Sequence, residues 1–161
     1  MERRSNGKII FTALAALTAI IYLSKNKFMN WIKPVTAKIT SPYGIRRHPV
    51  TKEEHFHNGI DLLIPEGTPI QAPADGTVLN VYKNDIGGLQ IIISHAGGFK
   101  TGYAHLSASL VKTGDKVLKG QTFAKSGKSG RVTSAHLHFT LRNGEGEFLN
   151  PENFIYTQPA A

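Results

Sequence analysis

The chain carries seven histidines, His48, His55, His57, His95, His105, His136 and His138, and no cysteine among its 161 residues. It therefore offers no disulfide framework, no thiolate metal site and no cysteine nucleophile, so a transition metal would have to be held by imidazole and carboxylate. Two segments have suitable spacing. In "SAHLHFTLR", residues 134–142, His136 and His138 are separated by one residue in a run that reads as a β-strand. Side chains at i and i+2 leave the same strand face about 7 Å apart, so both imidazoles look into one space. They could share a metal, divide two tasks, or sit on a polar sheet face. In "HFHNGIDL", residues 55–62, His57 and Asp61 are four apart, and Asn58-Gly59 breaks any helix. A turn must then bring imidazole and carboxylate together. Two imidazoles and one carboxylate suit zinc and leave a fourth position for water. One histidine of the H-x-H pair can supply the third ligand, and His105 in "GYAHLS" adds a further imidazole to the set.

The elements that must position these residues are mostly strands. After Pro34 almost no helical periodicity remains; instead come "TAKIT", "GTVLNVYK", "LQIIISH", "FKTGYAHL", "KVL", "QTFAKSG" and "AHLHFTLR", with "NDIGG", "HAGG", "KTGD" and "GKSG" between them. Glycine supplies the positive φ such turns need, and strands joined this tightly pair antiparallel. The expectation is a mainly β, antiparallel domain over residues 34–156, with a meander from Gly76 to Leu106 and an open groove for the site. Residues 157–161 read as a frayed tail.

The net charge is +8, but it is unevenly placed. Arg3, Arg4, Lys8, Lys25, Lys27 and Lys33 against Glu2 leave the first 33 residues at +5 and the remainder at +3. No dense basic stripe interleaved with aromatics occurs in the β region, which argues against nucleic acid as a partner. Within residues 1–33 an uncharged run from Ile9 to Ser24 is bracketed by basic residues. As a helix its 16 residues span about 24 Å, a length that snorkelling of the flanking Lys and Arg can extend toward the bilayer thickness. Tyr22-Leu23-Ser24 lacks the small residues of a signal-peptidase site. The expected element is an uncleaved N-terminal apolar helix that partners the membrane, its basic start on the cytoplasmic side.

Other catalytic patterns fail. "SGKSG" lacks the first glycine of a phosphate-binding loop, since Thr122 stands there, and Arg131 occupies the last position of a G-x-S-x-G nucleophile elbow. The helical H-E-x-x-H zinc motif is absent as well, in keeping with a site built on strands.

Three segments taken together, "SPYGIRRHPVTKEEHFHNGIDL", "GYAHLS" and "SAHLHF", resemble the LytM/lysostaphin-type zinc metallopeptidases of peptidoglycan, the M23 family. The resemblance runs from about Ile39 to Phe154, with "APADGTVLNV" and "VKTGDKVLKGQTFAKSGKSG" in the expected order. It implies one zinc ion per chain on His57, Asp61 and His138. It also implies that His105 and His136 do not bind the metal but flank a zinc-activated water as the catalytic pair. Zinc lowers the pKa of bound water to about 7, and a neighbouring imidazole can accept a proton, donate one to a leaving amine or stabilise an oxyanion. Two positions depart from the family pattern: Thr140 stands where many relatives have Glu, and Ser134 where Gly is frequent.

The implied activity is hydrolysis of peptide cross-links in the bacterial cell wall by a D,D-endopeptidase or a glycyl-glycine endopeptidase. The implied setting is membrane-anchored, facing the periplasm or cell wall, with a phage virion as the alternative. A non-catalytic LytM-type wall-binding or amidase-activating module has the same fold, but it has no need of five filled site positions. A lipoyl-like carrier domain, suggested by "ADGTV" and "KTGDKVLKGQ", gives no reason for the histidines. Of the remaining candidates, His55 yields to His57 by its placement against "HNGID". His48 and His95 read as structural or groove-lining. Arg46 orders the loop around the site, meets a substrate carboxylate or forms a surface salt bridge, and Tyr103 lines the cleft or packs on the sheet.

Overall fold

The structure is a computed structural model and describes residues 31–47 and 52–156. The expected apolar helix falls in residues 1–30, outside the described residues, as do His48 and the 157–161 tail. No helix among the described residues is long and apolar enough to cross a membrane.

Twelve strands follow one another along the described residues: β1 (Lys38–Ser41), β2 (Gly44–Arg47), β3 (Glu54–His57), β4 (Ile60–Leu63), β5 (Pro69–Gln71), β6 (Gly76–Asn84), β7 (Gly88–His95), β8 (Lys100–Ser109), β9 (Lys116–Val117), β10 (Thr122–Ser126), β11 (Leu137–Arg142) and β12 (Phe148–Leu149). Among the described residues, helical structure is confined to one 3-10 turn at Ala96–Gly98 and one π-helical turn at Glu152–Tyr156. Ten strands form one sheet with the path β1-β4-β11-β8-β7-β6-β9, β10 joining β8 and β5, and β12 joining β11. Strands β2 and β3 form a separate hairpin. Every pairing is antiparallel, and β6, β7 and β8 make the expected meander.

The alternation that gives a strand two faces is clearest in β11, where Leu137, Phe139 and Leu141 are buried while His138, Thr140 and Arg142 face outward. The inner face meets Tyr103, whose ring packs edge-on against Phe123 and tilted against Phe139. Fully burying an aromatic such as Phe139 contributes on the order of 2–3 kcal/mol, so this layer holds the sheet beneath the site rigid. Trp31 also packs on the β domain, its ring 4.8 Å from that of His95, and the Ile32 amide donates to the Pro73 carbonyl.

Two local features aim side chains at the outer face. Gly59, between β3 and β4, lies so close to β11 that a Cβ would stand 2.3 Å from the Phe139 carbonyl oxygen. Only glycine lets that turn settle against the sheet. In β8 the chain changes partner at His105: residues 100–104 pair with β11, and residues 106–109 pair with β10. Opposite β7, Tyr103 pairs with Ile91 and Leu106 with Leu89, so β8 carries one extra residue there. This is a β-bulge, and His105 takes the left-handed conformation within it at φ 63°. The bulge turns the imidazole toward the site instead of letting it follow the strand's alternation.

Candidate active site

Strands β4 and β11 place Asp61 opposite His138, and the Asn58-Gly59 turn brings His57 over both. His57 Nε2 lies 3.2 Å from Asp61 Oδ1 and 3.1 Å from His138 Nδ1, while His138 Nδ1 lies 2.8 Å from the same Asp61 oxygen. His57 is buried, and Asp61 and His138 are each one-fifth exposed at the side chain.

The outer ring nitrogens decide what this cluster can do. His57 Nδ1 donates to the Pro42 carbonyl at 2.8 Å, and His138 Nε2 donates to Asn58 Oδ1 at 3.1 Å. Both imidazole protons are thereby committed away from the centre, which leaves lone pairs on His57 Nε2 and His138 Nδ1. Two nitrogen lone pairs and a carboxylate oxygen then converge within 4.8 Å of one another. Such a set is mutually repulsive unless a cation sits among it, and its donor types suit zinc. Of the H-x-H pair, His138 is the one whose ring nitrogen joins this set.

His136 precedes β11 and forms an isolated bridge with Gly127. Its Nδ1 donates to the Ser134 carbonyl at 3.0 Å, and its Nε2 stands 3.9 Å from Asp61 Oδ1. The His105 ring is 4.7 Å from that of His136 and 6.3 Å from that of His138, centroid to centroid. His105 Nδ1 donates to the Ser129 carbonyl at 3.0 Å. Burial pushes the His105 pKa below its ordinary value, His136 and His138 push the same way, and the Ser129 carbonyl opposes them. With Nδ1 engaged by a carbonyl in each, the neutral form of both flanking imidazoles carries its proton on Nδ1 and a lone pair on Nε2.

The remaining candidates separate cleanly. His55 is exposed on β3, in register with Arg46 of β2. His95 is buried with both ring nitrogens engaged, Nδ1 by the Asp75 carbonyl and Nε2 by Thr101 Oγ1, and is structural. Tyr103 belongs to the core, its hydroxyl donating to Thr101 Oγ1. Arg46 hydrogen-bonds Ser41 Oγ and stands 3.9 Å from Asp61 Oδ2, a positive charge at the rim of the cluster. Sequence reasoning missed Asn58, Pro42 and Ser129. Only Asn58 carried a signal, standing between two candidate ligands, and it was read as a turn residue alone. From the cluster a groove of about 290 Å³ runs over the outer face of β11, β8 and β7, beginning at Asn58 and His138 and ending at Lys100 and Arg142.

Residues 55–151 match the profile of peptidase family M23, and the chain belongs to that family. Over 111 residues it is 44% identical to the peptidoglycan DD-endopeptidase ShyA of Vibrio cholerae, covering 67% of this chain and 26% of that protein. A zinc-containing peptidase from Vibrio cholerae superimposes with a TM-score of 0.71 at 36% identity, over 75% of this chain and 39% of that one. The catalytic domain of lysostaphin from Staphylococcus simulans superimposes at 0.68 with 29% identity, over 75% of this chain and 93% of that one. The chain spans about a quarter of the length of the curated relatives it matches.

Proposed function

We propose that the chain is a zinc-dependent endopeptidase that hydrolyses peptide cross-links of bacterial peptidoglycan, with D,D-bonds as its targets. The observation that carries this reading is the convergence of His57 Nε2, Asp61 Oδ1 and His138 Nδ1 with their N–H groups turned outward. The name of the Vibrio cholerae relative supports the substrate class.

In this reading His57, Asp61 and His138 hold the ion, which when bound supplies Lewis acidity toward a carbonyl oxygen and acidifies water. The Pro42 carbonyl and Asn58 fix the two ligand rings in the required tautomers. His136 and His105 act on protons: each presents a basic Nε2 that can take the proton of the attacking water, and the ring that has taken it can then donate it to the oxyanion or the leaving amine. A wall-binding or amidase-activating module would gain nothing from this tautomer arrangement.

Placement at the envelope through a membrane helix, facing the periplasm or cell wall, is part of the same proposal. It rests on the uncharged Ile9–Ser24 run between basic flanks.

The test is digestion of purified peptidoglycan by the full chain with and without a chelator, the products read by mass spectrometry. Cleavage at D,D cross-links, abolished by chelation and restored by zinc, is the expected result. Chelator-insensitive cleavage, or none under any metal, would overturn the proposal.

A further inference from the structure

The far end of the groove is chemically distinct from the metal end. Lys100 and Arg142 are register partners on β8 and β11, four residues from Ala104 and His138 respectively, so they close the groove about 13 Å from the cluster. Among the described residues they are the only charged ones that line it, and no acidic side chain does. Among the described residues neither forms an ion pair. Arg142 is held in place, its guanidinium stacked 4.0 Å above the Phe148 ring. Such stacking uses the guanidinium face and does not consume its N–H edge, which can take a carboxylate with two parallel hydrogen bonds. Between the two ends the floor is Gly102 and Ala104 with Thr140 beside them, all small, which suits an extended chain lying flat.

We propose that Lys100 and Arg142 form a carboxylate subsite, so that the groove selects peptides carrying a free carboxylate about four extended residues from the bond held at the cluster. This rests on the endopeptidase reading and narrows it: cross-links between acidic stems are favoured over neutral glycine bridges. Arg142 supplies the oriented fork and Lys100 the adjustable point charge.

The probe is a fluorescent peptide whose cleavable amide is N-methylated, compared with the same peptide after amidation of its distal carboxylate. Anisotropy on the full chain should show the carboxylate form binding about fivefold tighter at low salt, the range for two partly exposed ion pairs. The preference should shrink as salt rises. The Lys100→Gln/Arg142→Gln double variant should bind both forms equally. Equal binding of the two peptides by the unaltered chain would overturn the subsite, and that comparison stands even if the double variant does not fold. A preference that survives in a folded double variant would also overturn it. Because the probe is not cut, a failure of cleavage on peptidoglycan is read separately and bears only on the endopeptidase proposal.

Discussion

His95 and His138 sit on neighbouring regions of one sheet system, yet their imidazoles are used in opposite ways. His95 has a partner at each ring nitrogen, Nδ1 donating to the Asp75 carbonyl at 2.9 Å and Nε2 accepting from the Thr101 hydroxyl at 2.7 Å, with Trp31 covering the ring. Nothing is left over for a ligand. His138 gives one nitrogen to Asn58 and turns the other toward His57 and Asp61. What separates a structural histidine from a candidate ligand here is where the second nitrogen points, and burial alone would rank the two the wrong way round.

The strongest way to break this comparison lies in the H-x-H pair. His138→Ala removes one of three converging donors, so zinc content and cleavage should both fall below detection. His136→Ala leaves all three donors in place, so zinc should stay bound while kcat falls about 10²- to 10⁴-fold, the usual worth of a positioned acid or base. Metal analysis beside kinetics on the two variants checks the division. Equal zinc loss in both would show that His136 is a ligand and that the pair has been assigned wrongly.

A smaller effect is expected one step out. Asn58 touches no metal in this scheme; it accepts the proton of His138 Nε2 and so keeps the lone pair on Nδ1. Asn58→Ala should weaken zinc affinity about 10- to 100-fold, the range for such supporting bonds, with activity recovering at saturating metal. Asn58→Asp should restore tight binding, since a carboxylate accepts the same proton. Competition against a zinc-binding dye measures both. If Asn58→Ala binds zinc as tightly as the unaltered chain, the tautomer argument fails.

How much of this was legible beforehand follows the range of the interactions. The alternation of β11, the β6–β8 meander and the turn between His57 and Asp61 depend on neighbours in the chain, and the sequence pattern shows them. The short strands β2, β3, β4, β5 and β12 have too few residues to display a period; β4, β5 and β12 line up along longer strands, and β2 and β3 pair with each other. Pro42 meets His57 from 15 residues away, Ser129 meets His105 from 24, and Asn58 meets His138 from 80. No spacing rule reaches such pairs. The bulge at His105 was equally hidden, because a residue in left-handed conformation is visible in sequence only when it is glycine. The Ala104-His105 pair gives no such sign.

The smallest expected effect on catalysis belongs to His95, where the comparison should appear as stability instead. Burial lowers its pKa in the folded chain, with the hydrogen bond to Asp75 opposing. An unfolded chain therefore takes up a proton at about pH 6.5 that the folded chain resists, so it binds more protons and gains on the folded form as pH falls. The stabilising contribution is fully present above that pH and is lost as pH drops through the lower, folded value. His95→Gln should be destabilised at neutral pH by about 1–3 kcal/mol, the cost of disturbing a buried, fully paired group. Its melting temperature should then fall less between neutral and mildly acidic pH than that of the unaltered chain, because the group that resists protonation is gone. Zinc affinity and kcat should stay close to those of the unaltered chain below the melting range. Parallel thermal melts and metal titrations measure all three. A His95→Gln variant that loses zinc would mean that the sheet transmits strain from His95 to His138, and the two histidines would no longer be independent.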